Sequence, residues 1–264
     1  MKNINERMFE HWKESTNYFH KNNIVVLCCQ GSQNYGLETE ESDLDTKLII
    51  TPSFKDIAMN KKPISTTHVR ENEEHIDFKD IRLYIQTFRK QNLNFLEILF
   101  TPYYLTTPMY DKQWQRLVKA REDIAHMNPC RAVHSMKGIA MEKYHALEHP
   151  YLTKLAIINK HGGYDPKQLH HLLRVEDYLE RYIKGESYEE CLRPRDPGYL
   201  IAVKKGKYDL ETAREVANKS ILHVADMTTE FLNSHKPYES PQALELLEDV
   251  QYEIMRISVK RELK

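Results

Sequence analysis

Asp43 and Asp45 stand two apart in the stretch Ser42-Asp43-Leu44-Asp45-Thr46-Lys47-Leu48-Ile49-Ile50. In extended backbone such residues project from the same face, so these two carboxylates can share a divalent cation. Asp77, between Ile76 and Phe78, lies in another apolar run, where a neighbouring strand would bring a further carboxylate beside the first two. Glu74 and Asp80 compete for that place, but Asp77 alone has apolar residues on both sides. Three converging carboxylates select a hard cation, magnesium or manganese, which usually completes its shell with substrate phosphates and water. Upstream, Gly31 and Ser32 follow an apolar run and precede an expected helical turn. In that context backbone N–H groups converge on an anion, and a missing Cβ permits its close approach. The plain structural alternatives are a Gly-Ser turn, a Ser-Asp turn capped by Ser42, and a solvent-facing Asp77 in an alternating strand.

The elements that must position these residues are legible from periodicity. Residues 6–22 are expected to form an opening helix, Ile24 to Cys29 a buried strand ended by Gly31, Leu44 to Thr51 a second strand closed by Pro52, and His75 to Phe78 a third. From Lys79 the pattern turns helical: Ile81, Ile85 and Phe88 keep one stripe, and Leu93 to Phe100 is apolar. Further helices are expected near 111–126, 130–148, 165–184, 209–234 and 240–262, with Asn128-Pro129, Asp165-Pro166, Asp209 and Ser240-Pro241 as their start signals. Pro194, Pro197, Gly198 and Gly206 interrupt the pattern and predict a loop with basic residues nearby.

The expected fold class is therefore an α/β (α+β) N-terminal domain with a small mixed sheet, residues 1–127, followed by an all-α C-terminal domain, residues 128–264. With 41% hydrophobic and 29% charged residues the chain has the balance of a packed globular protein. No apolar run reaches the roughly 18 residues of a membrane span, and residues 1–15 lack a signal-peptide core, so a cytoplasmic location without membrane attachment is expected. Cys28, Cys29, Cys130 and Cys191 spell out neither a disulfide framework nor a zinc knuckle and are expected to be reduced thiols. A formal net charge of −1 gives no global attraction to nucleic acid.

The segment Gly31-Ser32-Gln33-Asn34-Tyr35-Gly36-Leu37-Glu38-Thr39-Glu40-Glu41-Ser42-Asp43-Leu44-Asp45 resembles the signature of the DNA polymerase beta superfamily of nucleotidyltransferases. More narrowly, it is similar to predicted nucleotidyltransferases of bacteria and their phages. In that group a later helix carries a Lys, a His and an Arg, matched here by Lys167, His171 and Arg174. The resemblance implies that Gly31 and Ser32 hold a triphosphate, and that Asp43, Asp45 and Asp77 bind two metal ions, Mg2+ or Mn2+. It implies transfer of a nucleoside monophosphate to an acceptor hydroxyl with release of pyrophosphate, ATP being the default donor and Tyr35 a candidate to stack on its base. The acidic spacer residues Glu38, Glu40 and Glu41 are expected to be solvated.

Lys167, His171, Arg174 and Tyr178 follow steps of four, three and four, so they are expected to share one helix face, with Leu169, Leu172, Leu173 and Leu179 occupying the other. A solvated face is the bland reading; contact with nucleotide or acceptor phosphate in a cleft closed by the helical domain is the functional one. Adjacent His170 and His171 point in different directions and make a poor zinc site. Arg193, Arg195, Lys204, Lys205 and Lys207 form a basic stretch that Asp196 and Asp209 dilute. The acceptor is left open among an RNA end, a small molecule and a protein hydroxyl. Two rival classes stand beside the enzyme: a non-catalytic nucleotide-sensing or partner-binding module retaining the fold, and a nucleic-acid-binding protein without catalysis.

Overall fold

An apolar residue at every position from Ile24 to Cys29 suits a strand covered on both faces. In the computed structural model, which describes residues 3–39, 42–149 and 155–264, this run is β1 (Ile24–Gln30), buried at all positions but Gln30. β2 (Asp45–Ile50) pairs with it antiparallel, with Gln30 opposite Asp45. β4 (His75–Asp80) runs parallel to β2, with Lys47 beside Asp77. The edges are β3 (Ser65–Val69), antiparallel to β4, and β5 (Tyr104–Thr106), antiparallel to β1. The five-stranded order is β3-β4-β2-β1-β5. A mixed sheet followed by helices is the architecture expected from the sequence.

Strand alternation sorts the side chains. Leu27, Cys29, Leu48, Ile50, Ile76 and Phe78 form one buried cluster together with Met8 of α1 (Ile4–Ser15). The register places Gln30, Asp45, Lys47, Asp77 and Lys79 on the opposite face. On that face the Tyr84 ring of α4 (Ile81–Arg89) lies 5.6 Å from Phe95 of α5 (Leu93–Leu96). Short helices α2 (Ser32–Tyr35), α3 (Phe54–Ala58), α6 (Asp111–Lys119) and α7 (Arg121–Ala125) lie between or after the strands.

The chain divides into two compact units: Met1–Asn34, Glu38–Met127 and Glu239–Lys264 form the first, Tyr35–Leu37 and Asn128–Tyr238 the second. The break after Met127 falls where the Asn128-Pro129 start signal stands, but the last helix, α14 (Pro241–Glu262), belongs with the sheet rather than with the helical region. Its apolar stripe Leu247, Val250 and Ile254 is buried. Its polar contacts also go to the first unit: Ser258 Oγ donates to Thr51 Oγ1 at 2.9 Å, Glu262 accepts the Phe54 N–H at 2.7 Å, and Arg116 meets Glu253 at 2.9 Å.

The second unit is helical: α8 (Pro129–Ala146), α9 (Leu155–Lys160), α10 (Pro166–Ile183), α11 (Tyr188–Leu192), α12 (Pro197–Lys204) and α13 (Leu210–Ser234). α10 is its centre, packed by α8, α11, α12 and α13. Several boundaries differ from expectation. The opening helix stops at Ser15, and residues 111–126 break at Ala120 into α6 and α7. The predicted loop after Pro194 contains α12, because Asp196 caps it by accepting the Tyr199 N–H at 2.8 Å and Pro197 occupies the first turn, where no N–H is missed. Among the described residues no helix is long and apolar enough to cross a membrane.

Candidate active site

β1 ends at Gly31, whose φ of +92° lies in the region only glycine enters without strain. Its N–H donates to Glu97 Oε1 at 3.3 Å, so this donor, expected for a phosphate, faces a buried carboxylate instead. The turn that follows is locked from below. Asn34 donates its N–H to the Gly31 carbonyl at 2.9 Å and its side-chain amide to the Cys29 carbonyl at 3.0 Å. Gln33 Nε2 donates to the Asp43 carbonyl at 2.9 Å, which ties the Gly-Ser turn to the Asp-x-Asp segment.

Asp43 is exposed just before β2, and Asp45 is its first residue. Asp45 accepts both the backbone N–H and the Nδ1–H of His75 at 3.1 Å each. Asp77, on the same face as Asp45, has Lys47 Nζ 3.2 Å from its Oδ2 and accepts the Thr67 hydroxyl at 2.5 Å. The ammonium of Lys47 is buried, which lowers its pKa against the opposing pull of Asp77, and it lies 4.2 Å from the centre of the Phe95 ring. Lys79 stands 4.0 Å from the same ring, and burial together with the nearby Lys47 lowers its pKa.

Asp45 and Asp77 thus share one sheet face and Asp43 precedes Asp45 by two residues, but the three are not seen as convergent ligands. Among the described residues no group of three or more His, Cys, Asp or Glu side chains is placed to hold a metal ion. Asp77 is instead paired with Lys47 from the adjacent strand position. Asp43 and Asp45 by their chemistry still fit a hard divalent cation that draws its remaining ligands from phosphate.

The two rival carboxylates are accounted for elsewhere. Glu74, on the other face, is gripped by Arg7, Arg70 and His11 Nε2. Its burial raises the pKa, but hydrogen bonds from His11, Asn72 and Arg7 win and hold it at about 2. Asp80 caps α4 by accepting the Arg82 N–H at 2.9 Å and pairs with that guanidinium. A cavity of about 200 Å³ beside the site is lined by Arg7, Gln33, Glu38, Thr39 and Ser42 among others; Glu40 and Glu41 lie outside the described residues. All four cysteines are buried and none is in a disulfide.

On α10, Lys167 is exposed and His171 half-buried, but Arg174 and Tyr178 are buried, which rules out a solvated stripe. The Arg174 guanidinium lies 4.0 Å from the centre of the Tyr35 ring, within the second unit. Tyr35 is itself buried, so the ring expected to stack on a base is held by a guanidinium. Burial, reinforced by Arg174, keeps His171 well below the usual imidazole range. His170 donates from Nδ1 to the Leu200 carbonyl at 2.9 Å, and burial lowers its pKa to about 4. Of the basic stretch, Arg195 pairs with Glu180 at 2.9 Å and Lys207 caps the Tyr199 ring at 4.6 Å.

Sequence reasoning missed Lys47, Thr67 and Glu97. Lys47 carried a signal, since it continues the two-residue alternation Asp43, Asp45; so did Glu97, a lone charge inside the apolar run Leu93 to Phe100.

Residues 1–176 match the family model described as RNA repair pathway DNA polymerase beta family. Among solved structures, the chain is similar to that of a nucleotidyltransferase-like protein from Exiguobacterium sibiricum, with 10% identity and a TM-score of 0.34 over 96% of this chain and 80% of that one. No curated protein matches.

Proposed function

The chain belongs to the RNA repair pathway DNA polymerase beta family, and from that premise we propose that it transfers a nucleoside monophosphate from a triphosphate, ATP by default, to a hydroxyl at an RNA end, releasing pyrophosphate. One observation supports the reading: Gln30 stands opposite Asp45 and Lys47 beside Asp77 on one sheet face, with Gly31-Ser32 following Gln30, and Asp43 two residues before Asp45, in the chain.

In this reading Asp43 and Asp45 hold the cation and Ser32 takes a phosphate oxygen, while Gly31 lets the chain turn tightly beside the triphosphate. When bound, a magnesium or manganese ion supplies charge neutralisation on the triphosphate and the leaving pyrophosphate. Asp77, fixed by Lys47 and Thr67, orients the attacking hydroxyl and receives its proton. Arg174 works through Tyr35, fixing the end of the turn that begins at Ser32.

The test is transfer of label from α-labelled nucleoside triphosphates, with magnesium or manganese, onto separated RNA, protein and small-metabolite fractions, beside an Asp43→Asn control. Label in RNA with the unmodified protein alone supports the proposal; label only in another fraction replaces the acceptor. The engagement of Asp77 by Lys47 and of the Gly31 N–H by Glu97 favours a second reading, a module that binds nucleotide without turnover. Tight triphosphate binding with no label anywhere selects it.

A further inference from the structure

Lys79 is two residues beyond Asp77 and shares its face of the sheet. It is half-buried, and among the described residues no carboxylate lies close enough to form an ion pair with it. The charged groups acting on it are Lys47, Asp77 and Lys90, two cations against one anion. Lys47 and Lys79 stand 4.2 and 4.0 Å from the centre of one ring, that of half-buried Phe95. Across the β3 pairing, Ser65 is the partner of Lys79 and Thr67 the partner of Asp77, and both are exposed. A half-buried cation, an aromatic ring and hydroxyls in one row are the parts from which backbone-tracking sites for single strands are built.

The strand order says which substrate this row meets. Gly31 and Ser32 follow β1, on one side of β2; β4, with Asp77 and Lys79, lies on the other. In an in-line displacement the attacking and leaving oxygens are on opposite sides of the phosphorus. A triphosphate tail at the β1 turn therefore sends the acceptor in from the β4 side.

We infer that Lys79 and Phe95, backed by Lys47 and flanked by Ser65 and Thr67, form a subsite for a backbone phosphate of a single-stranded acceptor, next to the reacting hydroxyl. This rests on the proposed transfer to RNA and adds the residues that would hold the strand.

The test measures binding of a short fluorescein-labelled single-stranded RNA by anisotropy across a salt series, using the full chain, Lys79→Met and Lys79→Arg. ATP affinity is measured by calorimetry in the same preparations. Loss of one phosphate contact should weaken RNA binding several-fold and flatten the slope of log K against log salt by about 0.7. Lys79→Arg should restore both, and ATP affinity should not change. Unaltered RNA affinity and slope in a folded Lys79→Met, while the unmodified protein still labels RNA, would overturn the subsite and leave the reaction standing. A loss of ATP affinity instead would give Lys79 to the donor and also overturn it. An unmodified protein that neither binds nor labels RNA would sink the RNA reading, and the subsite with it.

Discussion

At Asp45 the carboxylate is held by two N–H donors of His75 yet is still partly open to solvent, so it is accessible to a cation, as the proposed role requires. Asp45→Asn keeps the shape and removes the charge. Label transfer should fall by about two orders of magnitude or more, the scale of losing a charge-stabilising group, with an unchanged near-ultraviolet circular dichroism spectrum; full activity would remove Asp45 from the site. Buried titrating groups set a second expectation. His11 and His170 have pKa values below 6.5, the latter about 4, because burial disfavours their cations. The unfolded chain thus takes up protons that the folded one refuses, and stability present above about pH 6.5 is lost as pH falls toward 4. Glu74, held at about 2, adds a loss that starts near its ordinary 4.5 and continues downward. Urea unfolding between pH 4 and 8 should show this slope, and His170→Asn should flatten part of it. The strand positions of Asp45 and Asp77 were legible because alternation and apolar flanks report strand faces. Thr67 was not, because its position depends on an edge strand that no apolar pattern announces.

Elements announced themselves where caps and apolar periodicity agreed. α8, α10, α13 and α14 each begin at a capping Asn, Asp or Ser, and each lies where the sequence placed a helix. β3 was missed because it is mostly exposed, so nothing in Ser65 to Val69 alternates between core and water. β5 has only three residues. Its identity comes from its pairing with β1, a long-range fact. α12 escapes the pattern for a different reason: its proline and glycine read as breakers, whereas Pro197 at a helix start is a helix signal once Asp196 is recognised as the cap. That cap gives a direct check. Asp196→Ala removes the acceptor of the Tyr199 N–H and should cost about 1 kcal/mol, read as a lowered urea midpoint; Asp196→Ser should recover most of it. An unchanged midpoint for Asp196→Ala would mean that the cap contributes nothing to α12.

Across the whole chain, the organisation least visible in sequence is the return of the C-terminus to the first unit. Composition and periodicity make α14 one more amphipathic helix after α13, and nothing in residues 239–264 names the surface that its apolar stripe seeks. The partners are supplied by folding: Leu247, Val250 and Ile254 are fully buried, and Ser258, Arg261 and Glu262 bond to Thr51, Asn23 and the Phe54 N–H. Each large apolar side chain taken out of water contributes about 1.5–3 kcal/mol, so three of them are comparable with the roughly 5–15 kcal/mol that keeps a whole domain folded. Ending the chain after Tyr238 should therefore unsettle β1 and β2, far away in sequence, more than it unsettles α10, which is packed by helices of its own unit. Segment-resolved hydrogen exchange checks this. In the shortened chain the amides of residues 24–30 and 45–50 should lose most of their protection while those of residues 166–183 keep theirs. Equal loss in both segments would mean that the two units unfold as one cooperative body. Retained protection in the strands would make α14 an appendage rather than part of the first unit's core.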